Sequence, residues 1–390
     1  MRGLLFSLGL ATAGVSHAQE SDFHEVGPGL GGGHGHGSTD TIFDHPETSV
    51  GFFLDGAFRL DDELDAGFTS AELVMQSRFA PIWMGYSVLE ADEDEARLSE
   101  AALVYYGLGG RSSLSAGRFF LDFGKQMPTH VHDLTTPSRP GVLREYLGEE
   151  VSGDGLQFDH WYALGDDASL RFSVAAFAAF EAHRHPIGGE EHEHGGDVEQ
   201  DAPAFAARLT GSAHVGEGAL QLGASYRGMS EFTASADELG FADVAGLSNG
   251  LVGLDLTYSW GARGGEEHWS VGGEYLSYSG DISVEENDTL PVLEVFDSSV
   301  SGWYAFADHQ YADTRSYGLM VSAFERPEMG RSEDLEANLY HTWRVSDVLR
   351  ARLALVQTDS QEAGDSTAVV LQLTSFFGDH GHAHAHAHSH

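Results

Sequence analysis

Histidine is grouped along this chain rather than scattered. Of 22 histidines in 390 residues, His34 and His36 lie in Gly33-His34-Gly35-His36, His183 and His185 flank Arg184, and His192 and His194 alternate with glutamates in Glu191-His192-Glu193-His194. Six more, His380, His382, His384, His386, His388 and His390, alternate through the C-terminal tail. Alternate residues of an extended chain share a side. Neutral imidazoles suit zinc, copper and nickel, and the intervening glycines and alanines leave the backbone free to wrap an ion. A divalent transition metal is therefore the expected ligand of these segments, with no obligatory cofactor. The tail also reads as a purification tag, although such tags are usually uninterrupted and the internal clusters share its composition. A shorter candidate is His130-Val131-His132-Asp133, where His130, His132 and Asp133 offer two imidazoles and a carboxylate; a histidine standing alone is more often packed or solvated.

Charge is the second resource. Sixty-one acidic residues against 20 basic ones give a formal net charge of −41, which excludes a nucleic-acid partner and favours attraction of cations, though acidic loops also simply keep a surface solvated. Segment 122–152 is too long for a bare connection and carries Lys125, Arg139 and Arg144 beside Asp133, Glu145, Glu149 and Glu150. Folded into a lumen it would set opposed charges across a constriction; folded outward it would carry surface ion pairs. Arg118, Arg171, Arg208, Arg227, Arg350 and Arg352 fall inside apolar/polar alternations. In a membrane barrel Arg118, Arg171, Arg227, Arg350 and Arg352 are expected at lumen parity, because a charge facing lipid costs about 2–4 kcal/mol near the midplane.

The elements that must position these groups are strands. Leu220, Leu222, Ala224 and Tyr226 alternate with Gln221, Gly223, Ser225 and Arg227, and the same split recurs at 170–174, 252–258 and 349–355. Such segments have one apolar and one wet face. Soluble sandwiches alternate too, so spacing decides. The predicted strands are approximately 49–60, 67–79, 82–91, 97–107, 111–121, 153–163, 169–180, 202–214, 219–229, 249–260, 267–279, 300–311, 315–325, 334–345, 348–358 and 367–377. Short connections (108–110, 165–168, 215–218, 312–314, 346–347) alternate with long ones (122–152, 181–201, 230–248, 280–299). An even strand number, about 16, with short turns on one side and long loops on the other is the pattern of a bacterial transmembrane antiparallel β-barrel. Trp260, Trp269, Trp303, Tyr304, Phe376 and Phe377 lie near strand ends, where an interfacial girdle would place them.

Arg2, the apolar run Leu4 to Val15 and Ser16-His17-Ala18 read as a cleavable leader over 1–18. A Gly/His-rich periplasmic segment is then expected over 19–47, the barrel over 48–377 and a His-rich periplasmic tail over 378–390. Nothing beyond the leader approaches the roughly 20 apolar residues of a transmembrane helix. The absence of cysteine removes disulfides and thiolate chemistry. No Ser-centred elbow, His-Glu-x-x-His helix or phosphate loop occurs, so a non-enzyme is expected.

Gly117-Arg118-Phe119-Phe120-Leu121-Asp122-Phe123-Gly124-Lys125, His130-Val131-His132-Asp133, Arg139-Pro140 and Tyr146-Leu147-Gly148-Glu149-Glu150, with Gly153-Asp154-Gly155-Leu156-Gln157 downstream, carry a resemblance. So do Thr48 to Gly56 and Leu98-Ser99-Glu100-Ala101-Ala102-Leu103. Over 48 to about 163 the chain resembles porin-like bacterial outer-membrane proteins, labelled either porins or zinc-regulated outer-membrane receptors. It departs from them at Gln126-Met127-Pro128, where an Asn is expected near the histidine pair. The resemblance implies an outer-membrane porin-like barrel and makes zinc the first metal to consider. An energy-coupled receptor would need a plug domain, for which Gln19 to Thr48 is too short. Three functions follow as expectations: a channel for passive uptake of small solutes, foremost divalent metal ions, with metal-binding histidines at both mouths; a general porin for small anions or sugars; or a metal-sequestering surface protein without a continuous pore. Outer-membrane lipid, metal ions, a periplasmic metal carrier and further copies in a homotrimer are the expected partners.

Overall fold

The computed structural model describes residues 47–378, except 62–63, 93–95, 110, 149, 184–202, 235–243, 262–266, 287–291, 328–332 and 362–363. Sixteen strands form one closed antiparallel barrel: β1 (Glu47–Leu60), β2 (Leu64–Ala80), β3 (Trp83–Ala91), β4 (Ala96–Tyr105), β5 (Ser112–Phe120), β6 (Glu150–Ala163), β7 (Ala168–His183), β8 (Ala204–Val215), β9 (Gly218–Ala234), β10 (Val244–Gly261), β11 (His268–Glu286), β12 (Val292–Ala312), β13 (Arg315–Glu325), β14 (Glu333–Ser346), β15 (Leu349–Ser360) and β16 (Gly364–Gly378). Each strand pairs with its neighbours in sequence, and β1 pairs with β16 from Gly51↔Gly378 to Leu60↔Val369 to close the ring. Closure leaves no unpaired edge, which is what a strand protein needs in lipid.

The alternation seen in the sequence becomes two faces. Leu254, Leu256 and Leu339 are exposed on the outside, while Asp255, Thr257 and Asn338 are buried on the inside. An apolar outer surface around a polar lumen is that of a membrane-spanning barrel. Trp260 stacks on Trp269 at 5.9 Å and Trp269 on His309 at 4.0 Å, aromatic contacts that run across β10, β11 and β12 near the short-turn end.

Three of the expected long connections are shortened by strand pairing. β11 and β12 remain paired as far as Glu286↔Val292, β9 reaches Ala234 before β10 starts at Val244, and β7 reaches His183. Backbone pairing is not confined to the lipid-facing stretch, and residues of these extensions such as Leu247, Ile282 and Val295 still pack on the core. The connection between β5 and β6 is different. It holds a 3₁₀ turn at Val131–Asp133 and a helix, α1 (Gly141–Leu147), and the core of the protein is built on it. Phe119, Leu121, Phe123, Met127, Val142, Leu143, Tyr146 and Leu147 cluster with inward residues of the wall such as Leu251, Leu276, Val300 and Met320. The hydrophobic core thus lies inside the barrel.

Candidate functional site

The segment after β5 turns into the lumen at Gly124. Its φ of +59° is in the left-handed region, and a Cβ there would lie 1.9 Å from the Glu274 carboxylate of β11, so glycine satisfies both backbone and space. The Gly124 N–H then donates to Ser225 Oγ of β9 at 3.0 Å. Further along, the Arg352 guanidinium of β15 donates to Leu134 O and Thr136 O, each at 2.6 Å, and Gln372 of β16 donates to Pro137 O at 2.6 Å. Arg350 donates to His132 O. Helix α1 lies against β12 and β13: Val142 N–H donates to Ser322 Oγ at 3.1 Å, Tyr146 Oη donates to Glu325 O at 2.9 Å, and a Cβ on Gly302 would come 2.6 Å from the Val142 side chain. These anchors lie on strands spread around the ring, so the segment crosses the lumen.

A few strands round the ring from the arginines of β15, the same segment meets acids on β2 and β4. Glu72 of β2 places Oε1 2.9 Å from His132 Nδ1 and Oε2 3.2 Å from His130 Nδ1. His130 Nε2 is 3.0 Å from Glu100 Oε2 of β4, and His132 Nε2 is 3.5 Å from Asp133 Oδ2. Phe53 of β1 stacks on the His132 ring at 3.7 Å, and Phe120 packs 4.5 Å from His130. Burial alone would lower both imidazole pKa values, but the Glu72 charge and the carboxylate hydrogen bonds outweigh it; the net shift is upward for His132 and well upward for His130. The carboxylates around the two imidazoles therefore favour positive charge at the cluster.

The other predicted site residues distribute as follows. Arg171, Arg227, Arg350 and Arg352 face the lumen, and so does Arg208. Asp122 at the start of the segment bridges Arg171 (2.8 Å) and Arg208 (3.7 Å), which also pair with Asp159 (2.5 Å) and Asp255 (2.8 Å), while Arg227 donates to Asn249. Arg118 does not join them. Across the β5/β6 pair it opposes Asp154 at 3.0 Å, on the face that carries exposed Leu114 and Leu156, so the lumen assignment is corrected to the outer face. The Asp154 carboxylate beside it offsets part of the cost that made an outward arginine unexpected.

The constriction set also needs correction. Arg139 and Glu150 are buried, 3.5 Å apart. Arg139 donates to Gln126 O and Thr129 O, and Glu150 accepts from the Val131 N–H at 3.2 Å, so this pair braces the segment internally rather than lining an aperture. Arg144 pairs with Glu336 of β14, Lys125 sits 5.9 Å from the Phe306 ring, and Glu145 is half-buried on α1. A small cleft remains between the segment and β1, β15 and β16, with Asp55, Arg350, Arg352 and Gln372 on its walls. Glu149, His34, His36, His185, His192, His194, His380, His382, His384, His386, His388 and His390 lie outside the described residues, and only the backbone of His183 is placed, at the end of β7.

Glu72 is the member of this buried cluster that reading the sequence missed. Its inward parity between Ser70 and Val74 was available, but its partners lie 58 and 60 residues further on, and no local spacing connects them.

No protein-family model and no curated protein matches the chain. Solved structures do. OmpT in its trimer form, an outer membrane protein of Vibrio cholerae, superposes with a TM-score of 0.53 at 13% identity over 86% of this chain and 100% of its own. The anion-selective porin from Comamonas acidovorans gives 0.53 at 11% over 85% and 100%. The outer membrane channel DcaP of Acinetobacter baumannii gives 0.52 at 12% over 85% and 97%. The chain therefore has the fold of the 16-strand outer-membrane porins.

Proposed function

We propose that this chain is a non-enzymatic outer-membrane channel for passive uptake of small solutes, divalent metal ions such as zinc foremost, with its permeation path set by the inward segment. The supporting observation is the charge balance at that segment. Arg171 and Arg208, the guanidiniums nearest its start, are answered by Asp122, Asp159 and Asp255. Fixed negative charge in a narrow, low-dielectric passage concentrates cations. In this reading long loops face outward, His183, His185, His192 and His194 meet the external medium, and His34, His36 and the tail stand in the periplasm, where a tighter carrier would take the ion. Assembly as a homotrimer, the form in which the Vibrio cholerae protein was described, would suit such a channel.

Planar bilayers test the proposal. Reversal potentials in a salt gradient should show modest cation preference that declines as salt shortens the screening length from about 10 Å at 0.1 M. With zinc as the only cation a current should persist. Deleting residues 380–390 should lower bound zinc and impair growth under zinc starvation while conductance stays nearly unchanged. Anion preference would select the general-porin reading. The dense packing of the inward segment favours the sequestering alternative, which near-zero conductance would select.

A further inference from the structure

We infer that Glu72, His130 and His132 form a resident divalent-metal site that fastens the inward segment to the barrel wall, apart from any ion in transit. The donor set comes from two parts of the chain: a wall carboxylate on β2 and two imidazoles from the segment. One ligand atom from each lies within 4.8 Å of the others. A tetrahedral zinc site with bonds of roughly 2.1 Å has ligand atoms about 3.4 Å apart. The observed separations from the Glu72 oxygens to the two Nδ1 atoms, 2.9 and 3.2 Å, already match that scale.

Orientation supports the same conclusion. Both Nδ1 atoms turn toward Glu72, and both Nε2 atoms turn toward a second carboxylate, Glu100 at 3.0 Å for His130 and Asp133 at 3.5 Å for His132. A metal-ligating histidine ordinarily donates its other ring N–H to a carboxylate, which fixes the tautomer and leaves the first nitrogen as the metal donor. That carboxylate partner is hydrogen-bonded for His130 and lies at ion-pair distance for His132. Glu100 is pinned in turn, since it also accepts the Phe120 N–H at 3.1 Å.

Two imidazoles and one carboxylate suit zinc and its neighbours better than calcium or magnesium, which take oxygen donors. Location separates this site from the permeation path: His130 is 0% exposed, His132 3% and Glu72 1%, and the rings of Phe53 and Phe120 cover the imidazoles. An ion held there exchanges only when the segment lifts from β2. Its role is to fix the constriction.

The test uses the full chain, stripped with chelator and then equilibrated with zinc alone. Anomalous diffraction above the zinc edge from wild-type crystals should show an ion bonded to the two Nδ1 atoms and Glu72, a measurement independent of how any variant folds. In solution, zinc should protect segment 121–149 from proteolysis. Glu72→Gln should abolish that protection while keeping heat-modifiable migration, and Glu100→Gln should weaken zinc binding at the site by about 10–100-fold. Absence of anomalous density between these atoms, or protection by zinc that is equal in wild type and Glu72→Gln, overturns the inference. Failure of zinc conduction with the ion present at the site would sink only the transport reading, and zinc conduction with the site empty would sink only this one.

Discussion

The inward segment is held at two nearby stretches of the wall by opposite chemistries. On β2 and β4 the wall is acidic, and the segment answers with side chains, His130 and His132. On β15 the wall is basic, and the segment answers with backbone carbonyls at His132, Leu134 and Thr136. The difference is one of specificity. A carbonyl is present whatever the residue, so Leu134 and Thr136 are free to vary as far as that clamp is concerned. The imidazole clamp depends on residue type and responds to whatever neutralises Glu72.

The basic side should give the largest effect when broken. Arg352 is 4% exposed and satisfies two carbonyls at 2.6 Å. Arg352→Leu leaves both acceptors without their donor, at about 1–3 kcal/mol each. The segment should detach from β15 and single-channel conductance should rise several-fold. Arg352→Lys should restore little, because an ammonium lacks the fork that reaches two acceptors at once. Unchanged conductance in Arg352→Leu would show that the acidic clamp alone holds the segment.

Gly124 sharpens the comparison from the entry to the segment, with a smaller expected effect. Gly124→Ala places a Cβ at φ +59° and 1.9 Å from Glu274 Oε1. The backbone share is about 1–2 kcal/mol, and the clash adds to it. Pairing it with Glu274→Ala should recover the clash and leave the backbone cost, read as midpoints of urea unfolding in detergent. If the double variant is no more stable than Gly124→Ala alone, the Glu274 carboxylate moves aside without cost and the turn is governed by φ only.

Much of this was legible in the sequence, and the limits were physical. Alternation at Leu220 to Arg227 or Leu349 to Leu355 reports a strand with two different faces, because lipid and lumen impose opposite polarity residue by residue. It could not report β11 continuing to Glu286, because backbone pairing can outlast the stretch where lipid and lumen impose different faces. The charges of segment 122–152 pointed to the lumen, yet Arg139 and Glu150 pair with each other, and composition cannot distinguish a brace from a lining. His130 and His132 were visible as a pair, but the carboxylate between them comes from β2, across the lumen rather than along the chain. Long-range closure of this kind leaves no period to read.

The smallest expected effect belongs to Arg118, and it tests which face that side chain occupies. Arg118 and Asp154 are opposed across β5 and β6 at 3.0 Å, on the face of Leu114 and Leu156, two residues from the end of β5. Near the interface an outward charge costs about 0–1 kcal/mol, against about 2–4 at the midplane. The pair therefore needs no lumen to be tolerated, and it does not border the permeation path. Arg118→Leu should leave conductance and reversal potential unchanged. Arg171→Leu, which strips a lumenal guanidinium from Asp122 and Asp159, should shift the reversal potential toward stronger cation preference. A shift of equal size from Arg118→Leu would place its charge in the lumen and reverse the facing of β5 at that point.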